Sequence, residues 1–338
     1  MPISDIAQLR AVIADKNLAW RVRAVPATEV HSLGADQPLP ELGVRAALSL
    51  GTDLFAQLRA ENPGVLLNSK LRISDIWKYV RLRPTAFDWR DRGIIGPVTN
   101  QGYCGSCVSF ATAGLVAAQA AIELGTMALD LSEADQHFCS SHGAHCGGWN
   151  NQDSLDQVRS RGIATEASFP YMTAFDNPPK PSNPSDPKSL WAAYCRSEPS
   201  RRAYRITNFT AHTGDDRKTY LSTVGPMICS FTVYEDFDNY GGGAYRHATG
   251  AVRGGHAVLV VGYDDGTGTW ICRNSWGSAF GGGAQADGTG GGYFRIAYGD
   301  SNIDGAPFYG CRGVIAPRLI PIQFDPRKYK LDERFILR

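Results

Sequence analysis

The sequence predicts an α+β protein, with helices concentrated before about residue 204 and strands after it. Residues 108–123 are apolar, rich in alanine and free of proline, the mark of a buried helix. Residues 227–233, 256–263, 270–273 and 293–297 are short apolar runs rich in β-branched and aromatic side chains, which read as strands. The 338 residues, 43% of them apolar, suffice for one large domain or two smaller ones around a real core.

In chain order, Ile3, Ile6, Leu9, Ile13 and Leu18 form an apolar stripe near helical spacing, closed by Trp20. Residues 21–40 are polar, carry Pro26, Pro38 and Pro40, and read as a loop or extended arm. Residues 44–60 have helical composition and stop before Asn62-Pro63-Gly64, and residues 71–77 are short and amphipathic. Ser132 is placed to cap a short helix, and residues 152–161 read as another. Residues 176–188 hold five prolines and form an exposed loop. The glycine-rich residues 281–292 read as a flexible hairpin. From Pro317 the tail alternates apolar and basic residues and is expected to wrap the surface.

Net charge is +1, so nothing in it argues for a nucleic-acid partner, and none is expected. Residues 1–86 carry 11 basic and 8 acidic side chains, residues 87–311 carry 16 and 22, and residues 312–338 carry 7 and 3. Basic flanks around an acidic body fit flanks that dock on the body. No segment is expected to reach the roughly 18 apolar residues of a membrane span. The N-terminus lacks the charged and apolar regions of a signal peptide.

The chemistry gathers in three stretches. Gln101-Gly102-Tyr103-Cys104-Gly105-Ser106-Cys107 leads into the apolar helix, so Cys107 sits at or beside a helix N-terminus. Unpaired N–H groups and the helix dipole favour an anion there, and a thiolate nucleophile is one. Gly254-Gly255-His256-Ala257-Val258 puts a histidine at the head of a strand, and Arg273-Asn274-Ser275-Trp276-Gly277 ends another strand with an asparagine. Together these motifs resemble the papain-like cysteine peptidases, with QGxCGSC, GHAV and NSWG in order across about residues 86–315. The resemblance points to a bacterial member with an atypical prosegment. Phe87-Asp88-Trp89-Arg90 is similar to the start of the family's catalytic domain. Two positions depart from the family pattern. Val108 stands where an aromatic residue usually follows the nucleophile, and Phe280 stands where a second Trp-Gly is usual.

The resemblance implies a papain-like fold of two subdomains, one helical and one an antiparallel β-barrel, with the cleft between them. It implies Cys107 as nucleophile, His256 as its proton partner, Asn274 as the orienter of the imidazole, and Trp276 as the cover of that hydrogen bond. Gln101 would stabilise the oxyanion with the Cys107 backbone N–H. Gly147 and Gly148 would pair with an extended substrate, and Trp149, Ser230 and Ala257 would line an apolar specificity pocket. Cys104 should pair with Cys146, and Cys139 with Cys195. Cys229 and Cys272 read as buried thiols, and Cys311 is left without an assignment.

The implied organisation is a prosegment or inhibitory arm over residues 1–86, a catalytic domain over 87–316 and a basic tail over 317–338. Expected partners are protein or peptide substrates and the chain's own N-terminal segment, in a monomer without membrane or nucleic acid. No cofactor and no metal are expected. A zinc cluster drawn from Cys104, Cys107, Cys139, His142, His145 and Cys146 is the main rival, but it leaves His256 and Asn274 unexplained. An acyl transferase or deconjugating enzyme with the same Cys–His pair stays open, as does a non-catalytic relative. Two disulfides fit a secreted or periplasmic location, in tension with the missing signal peptide.

Overall fold

In the computed structural model of this chain, the described residues are 3–25, 32–35, 83–127, 129–171 and 203–317. The expected helices at 44–60 and 71–77, the proline-rich loop, Cys195 and the tail beyond Pro317 lie outside them. Helices α1 (Ile6–Asp15), α2 (Cys107–Leu124), α3 (Glu133–Phe138), α4 (Asn151–Ser160) and α5 (Asp216–Thr223) surround one sheet. Its strands are β1 (Trp20–Val22), β2 (Ala86–Asp88), β3 (Arg205–His212), β4 (Met227–Tyr234), β5 (Tyr240–Tyr245), β6 (Val252–Asp264), β7 (Thr269–Arg273), β8 (Tyr293–Ala297) and β9 (Phe308–Ile315). They run β1-β5-β8-β7-β6-β4-β9-β3, with β2 added beside β6. The pairing is antiparallel except for the short β5–β8 contact.

The fold turns on β6. Its side chains alternate in strand fashion between two cores. Val258 and Val260 join an aromatic cluster with Trp270, Trp276, Phe237 and Phe294. Ala257, Leu259 and Val261 face a second core built with α2 and α4, through Leu115, Val116, Leu155 and Val158. A sheet covered on both faces explains why its strands read as continuous apolar runs.

Helix α2 corrects one expectation. It is long and apolar enough to span a bilayer. However, 15 of its 18 residues are buried against protein, so it serves as the core helix of the second cluster. Gly114 lets Arg273 pass close to it, since a Cβ there would lie 1.9 Å from the guanidinium. Ser132 does cap α3, accepting a hydrogen bond from the Asp135 amide at 2.9 Å.

In the N-terminal block, the stretch expected to be a loop or extended arm begins as an extended strand. The chain is already in β1 at residues 20–22, antiparallel to β5. Trp20 is 3% exposed and packs on Tyr240 and Tyr245. With Leu9 and Ile13 it belongs to the same cluster as the β6 side chains. Burying that apolar surface outweighs the polar character of the flanking residues. Residues 281–292 form no strand-paired hairpin. They close on themselves through Gly291 N–H to Gly282 O and Gly292 N–H to Phe280 O, and Gln285 reaches back to the Gly241 carbonyl at 2.7 Å.

Candidate active site

Cys107 is the first residue of α2, and Ser106 precedes it without a side-chain cap. The Ser106 hydroxyl is instead 3.0 Å from Tyr171 Oη. The sulfur therefore sits where the helix offers unpaired N–H groups. Strand β6 crosses in front of it, and the Ala257 amide donates to Cys107 Sγ at 3.4 Å. Burial is complete and pushes the thiol up to about 11, although the amides of Ala257, Gly34, Val108 and Cys107 each pull it down. The expected thiolate is thus not the form this arrangement favours. The reason is burial, which disfavours the charged form, and the Gly34 amide of residues 32–35 is among the groups facing the sulfur.

His256 lies one residue along β6. Its Nε2 is 2.8 Å from Asn274 Oδ1, an acceptor that also takes the Ser275 amide at 2.8 Å. Nε2 therefore carries the proton, which leaves Nδ1 as the nitrogen available to exchange one in the neutral ring. Trp276 covers the pair, with its ring centroid 4.8 Å from the imidazole. His256, Asn274 and Trp276 are all buried.

Gln101 is fully buried and held at both ends. Its backbone N–H donates to Ser275 O at 2.8 Å, and its Oε1 accepts from Ser275 Oγ at 2.6 Å. That grip aims Nε2 at two carbonyls, Cys104 O at 3.0 Å and Ser32 O at 2.9 Å. Ser275 and Tyr171, whose hydroxyl donates to Gln101 O at 2.9 Å, are positioning residues that the sequence reading passed over.

Residues 32–35 form a strap through the site. Ser32 Oγ donates to Tyr103 O at 2.5 Å. Trp149 N–H donates to Gly34 O at 2.6 Å, and Ala35 N–H donates to Gly255 O at 3.1 Å. The strap thus joins the loop after α3 to β6, bridging the two sides of the cleft. Gly148 lies against it, since a Cβ there would be 2.7 Å from Gly34 O. Gly147 turns aside and donates to His145 Nδ1 at 3.0 Å.

Ser230 and Ala257 face each other across the β4–β6 register. Ser230 Oγ accepts from Asn151 Nδ2 at 2.8 Å, which adds a polar pair to a region expected to be apolar. Cys104 and Cys146 form the expected disulfide. Cys229, Cys272 and Cys311 are buried thiols, pushed upward by burial. His137 is buried beside the disulfide, and its burial holds the imidazole down to about 3, hence neutral.

The sequence profile described as "Papain family cysteine protease" matches residues 83–310. Fruit bromelain of Ananas comosus is 29% identical over 71% of this chain and 61% of its own length. Pro-cathepsin H of Mus musculus is 34% identical over 59% of this chain and 58% of its own. The chain thus spans about three-fifths of the length of these two relatives. Among solved structures, proCathepsin B S9 from Trypanosoma congolense matches with a TM-score of 0.64 at 21% identity, covering 93% of this chain and 100% of that one. Digestive procathepsin L 3 of the Tenebrio molitor larval midgut matches with a TM-score of 0.59 at 22% identity, covering 91% and 88%. These structures establish the papain-like fold.

Proposed function

Because this chain belongs to the papain family of cysteine proteases, we propose that it is an endopeptidase with Cys107 as nucleophile, kept latent by its own N-terminal segment. With the cleft open, the Cys107 proton passes to His256 Nδ1 and leaves a thiolate–imidazolium pair. The sulfur adds to the scissile carbonyl carbon, and the oxyanion takes hydrogen bonds from Gln101 Nε2 and the Cys107 amide. The imidazolium then protonates the departing amine as the C–N bond breaks. Water, deprotonated by His256, attacks the acyl-enzyme and releases the acid and the thiol. Asn274 keeps the ring in register throughout, and Trp276 excludes water from their hydrogen bond.

One observation supports this reading: the backbone of residues 32–35 runs past Gln101 and Cys107, the two groups proposed to meet a substrate's carbonyl. The Ser32 carbonyl rests on the Gln101 amide at 2.9 Å. The Gly34 amide faces the Cys107 sulfur. The same contacts support latency, because a strap in that position excludes substrate.

The test is labelling with an epoxide-type cysteine-peptidase inhibitor and mass spectrometry of the adduct, on the full chain and on a chain starting at Arg83. Labelling of Cys107 only in the shorter chain is expected. Equal labelling in both would remove latency, and none in either folded protein would remove the peptidase. Cys107→Ala and His256→Ala are expected to abolish peptide cleavage. Gln101→Ala is expected to slow it by roughly 10²-fold.

A further inference from the structure

A second group of reactive side chains lies behind the cleft, and the peptidase chemistry does not use it. Cys104 and Cys146 are bonded to each other, and His137 Nε2 lies 3.5 Å from Cys104 Sγ. One ligand atom from each of the three residues lies within 4.8 Å of the other two. His137 is 1% exposed and Cys104 2%, so an imidazole has been placed in the interior beside sulfur. Burying such a ring is costly unless its nitrogens are met. Nδ1 is met by Ser109 Oγ at 2.9 Å, a hydroxyl able to donate or accept. Nε2 faces the disulfide.

We propose that reduction of the Cys104–Cys146 bridge turns this corner into a zinc site, with Cys104 Sγ, Cys146 Sγ and His137 Nε2 as its protein ligands. A dithiol reductant supplies two electrons and two protons. The S–S bond breaks, two thiols form, and the reductant leaves as its own disulfide. Zinc then displaces both thiol protons and is bound by two thiolates and a neutral imidazole.

The geometry suits this ion. Zinc–sulfur bonds of about 2.3 Å and zinc–nitrogen bonds of about 2.0 Å place tetrahedral ligand atoms roughly 3.5–3.8 Å apart. The imidazole already stands at 3.5 Å from Cys104 Sγ, and Cys146 Sγ, within 4.8 Å of it, has to part from its partner sulfur. With Nε2 on the metal, Nδ1–H donates to Ser109 Oγ, the outer hydrogen bond that orients a zinc-bound histidine. Cys146 is only half-buried, which gives the reductant, the metal and a water in the fourth position a route in. The site adjoins the cleft, and the Cys104 carbonyl accepts from Gln101 Nε2 at 3.0 Å. Cys104 lies in the loop leading to Cys107, and Cys146 precedes Gly147 and Gly148.

The experiment uses the full chain carrying Cys107→Ala, which removes the competing Cys107–His256 pair as a zinc ligand. Cobalt(II) serves as the spectroscopic probe and zinc as its competitor, with the protein oxidised or reduced and its near-UV circular dichroism followed. The expected result is one cobalt per chain, with thiolate-to-metal absorption, in the reduced protein only, and displacement by zinc. Adding Ser109→Ala should weaken binding about tenfold, and adding His137→Leu should weaken it further. Equal binding by oxidised protein would overturn the proposal. So would unchanged binding after His137→Leu, or binding retained in a folded Cys104→Ser, Cys146→Ser variant. Loss of the native near-UV signal on reduction before metal is added would overturn it as well, because the site requires a folded reduced chain.

Discussion

The N-terminal block touches the rest of the molecule in two ways, and the two differ in kind. The anchor, α1 with β1, is fixed by side chains: Leu9, Ile13 and Trp20 are buried in the same aromatic cluster as Tyr240 and Phe280. The strap, residues 32–35, is fixed mainly by hydrogen bonds, through Trp149 N–H to Gly34 O, Ala35 N–H to Gly255 O and Ser32 Oγ to Tyr103 O, with only Leu33 packed partly buried on that cluster. Side-chain burial contributes roughly 1.5–3 kcal/mol for each large residue, whereas a hydrogen bond exchanged with water contributes about 1. Among the described residues the anchor therefore supplies most of the attachment, and under the proposed latency the strap is the part that leaves the cleft while the block stays bound.

The largest expected effect comes from breaking the anchor. Trp20→Ala should cost about 3–5 kcal/mol of block attachment and raise peptidase activity of the full chain toward that of a chain starting at Arg83. An unchanged activity would mean that the strap holds itself. Gly34→Ala separates the two attachments, because its Cβ would lie 2.0 Å from the Gly105 carbonyl. It should forfeit cross-cleft hydrogen bonds worth about 3 kcal/mol in total. Activity should rise while α1 stays protected from limited proteolysis.

The third effect is one of pH. The Cys107 thiol, pushed up to about 11 from its ordinary 9.0, holds its proton more tightly under the strap than in water. The covered state is therefore fully favoured below pH 9 and loses about 1.4 kcal/mol per pH unit as pH rises toward 11. Thiolate absorbance, taken as the difference between the parent and Cys107→Ser, should show a midpoint near 11 in the full chain and a lower one in Gly34→Ala. The smallest effect belongs to Arg21→Ala. The Arg21–Asp287 ion pair is 53% and 38% exposed at its two side chains. Its loss should change thermal stability by less than about 1 kcal/mol.

The parts of the molecule that were legible beforehand are those in which side chains write the pattern. The Cys107 helix, the α1 stripe, and the β6 and β7 runs have apolar periods that match their burial. Strand β5 was missed because Gly241, Gly242 and Gly243 look like a break. Here glycine is required because β1 runs close by: a Cβ on Gly243 would lie 2.4 Å from Ala19 O. Helix α5 was missed because its sequence is polar and only Arg217, Tyr220 and Leu221 are buried.

Within the candidate site, Cys107, His256, Asn274 and Gln101 could be named from motifs and do converge in space. An N-terminal arm was expected, but not which of its residues reach the site, since most of the hydrogen bonds of residues 32–35 are made by backbone atoms that every residue possesses. The His137–Ser109 contact was hidden for another reason. Its residues sit in two helices, 28 positions apart, and neither belongs to a motif.

Gly34 has a consequence for anyone who would copy this strap as a drug. At its narrowest point the passage admits a bare backbone and rejects even a methyl group, since a Cβ at Gly34 would overlap the Gly105 carbonyl. A peptidomimetic tracing residues 32–35 must keep that position unsubstituted and take its selectivity from the flanking positions. A substrate that followed the same path would likewise need a bare backbone at that position.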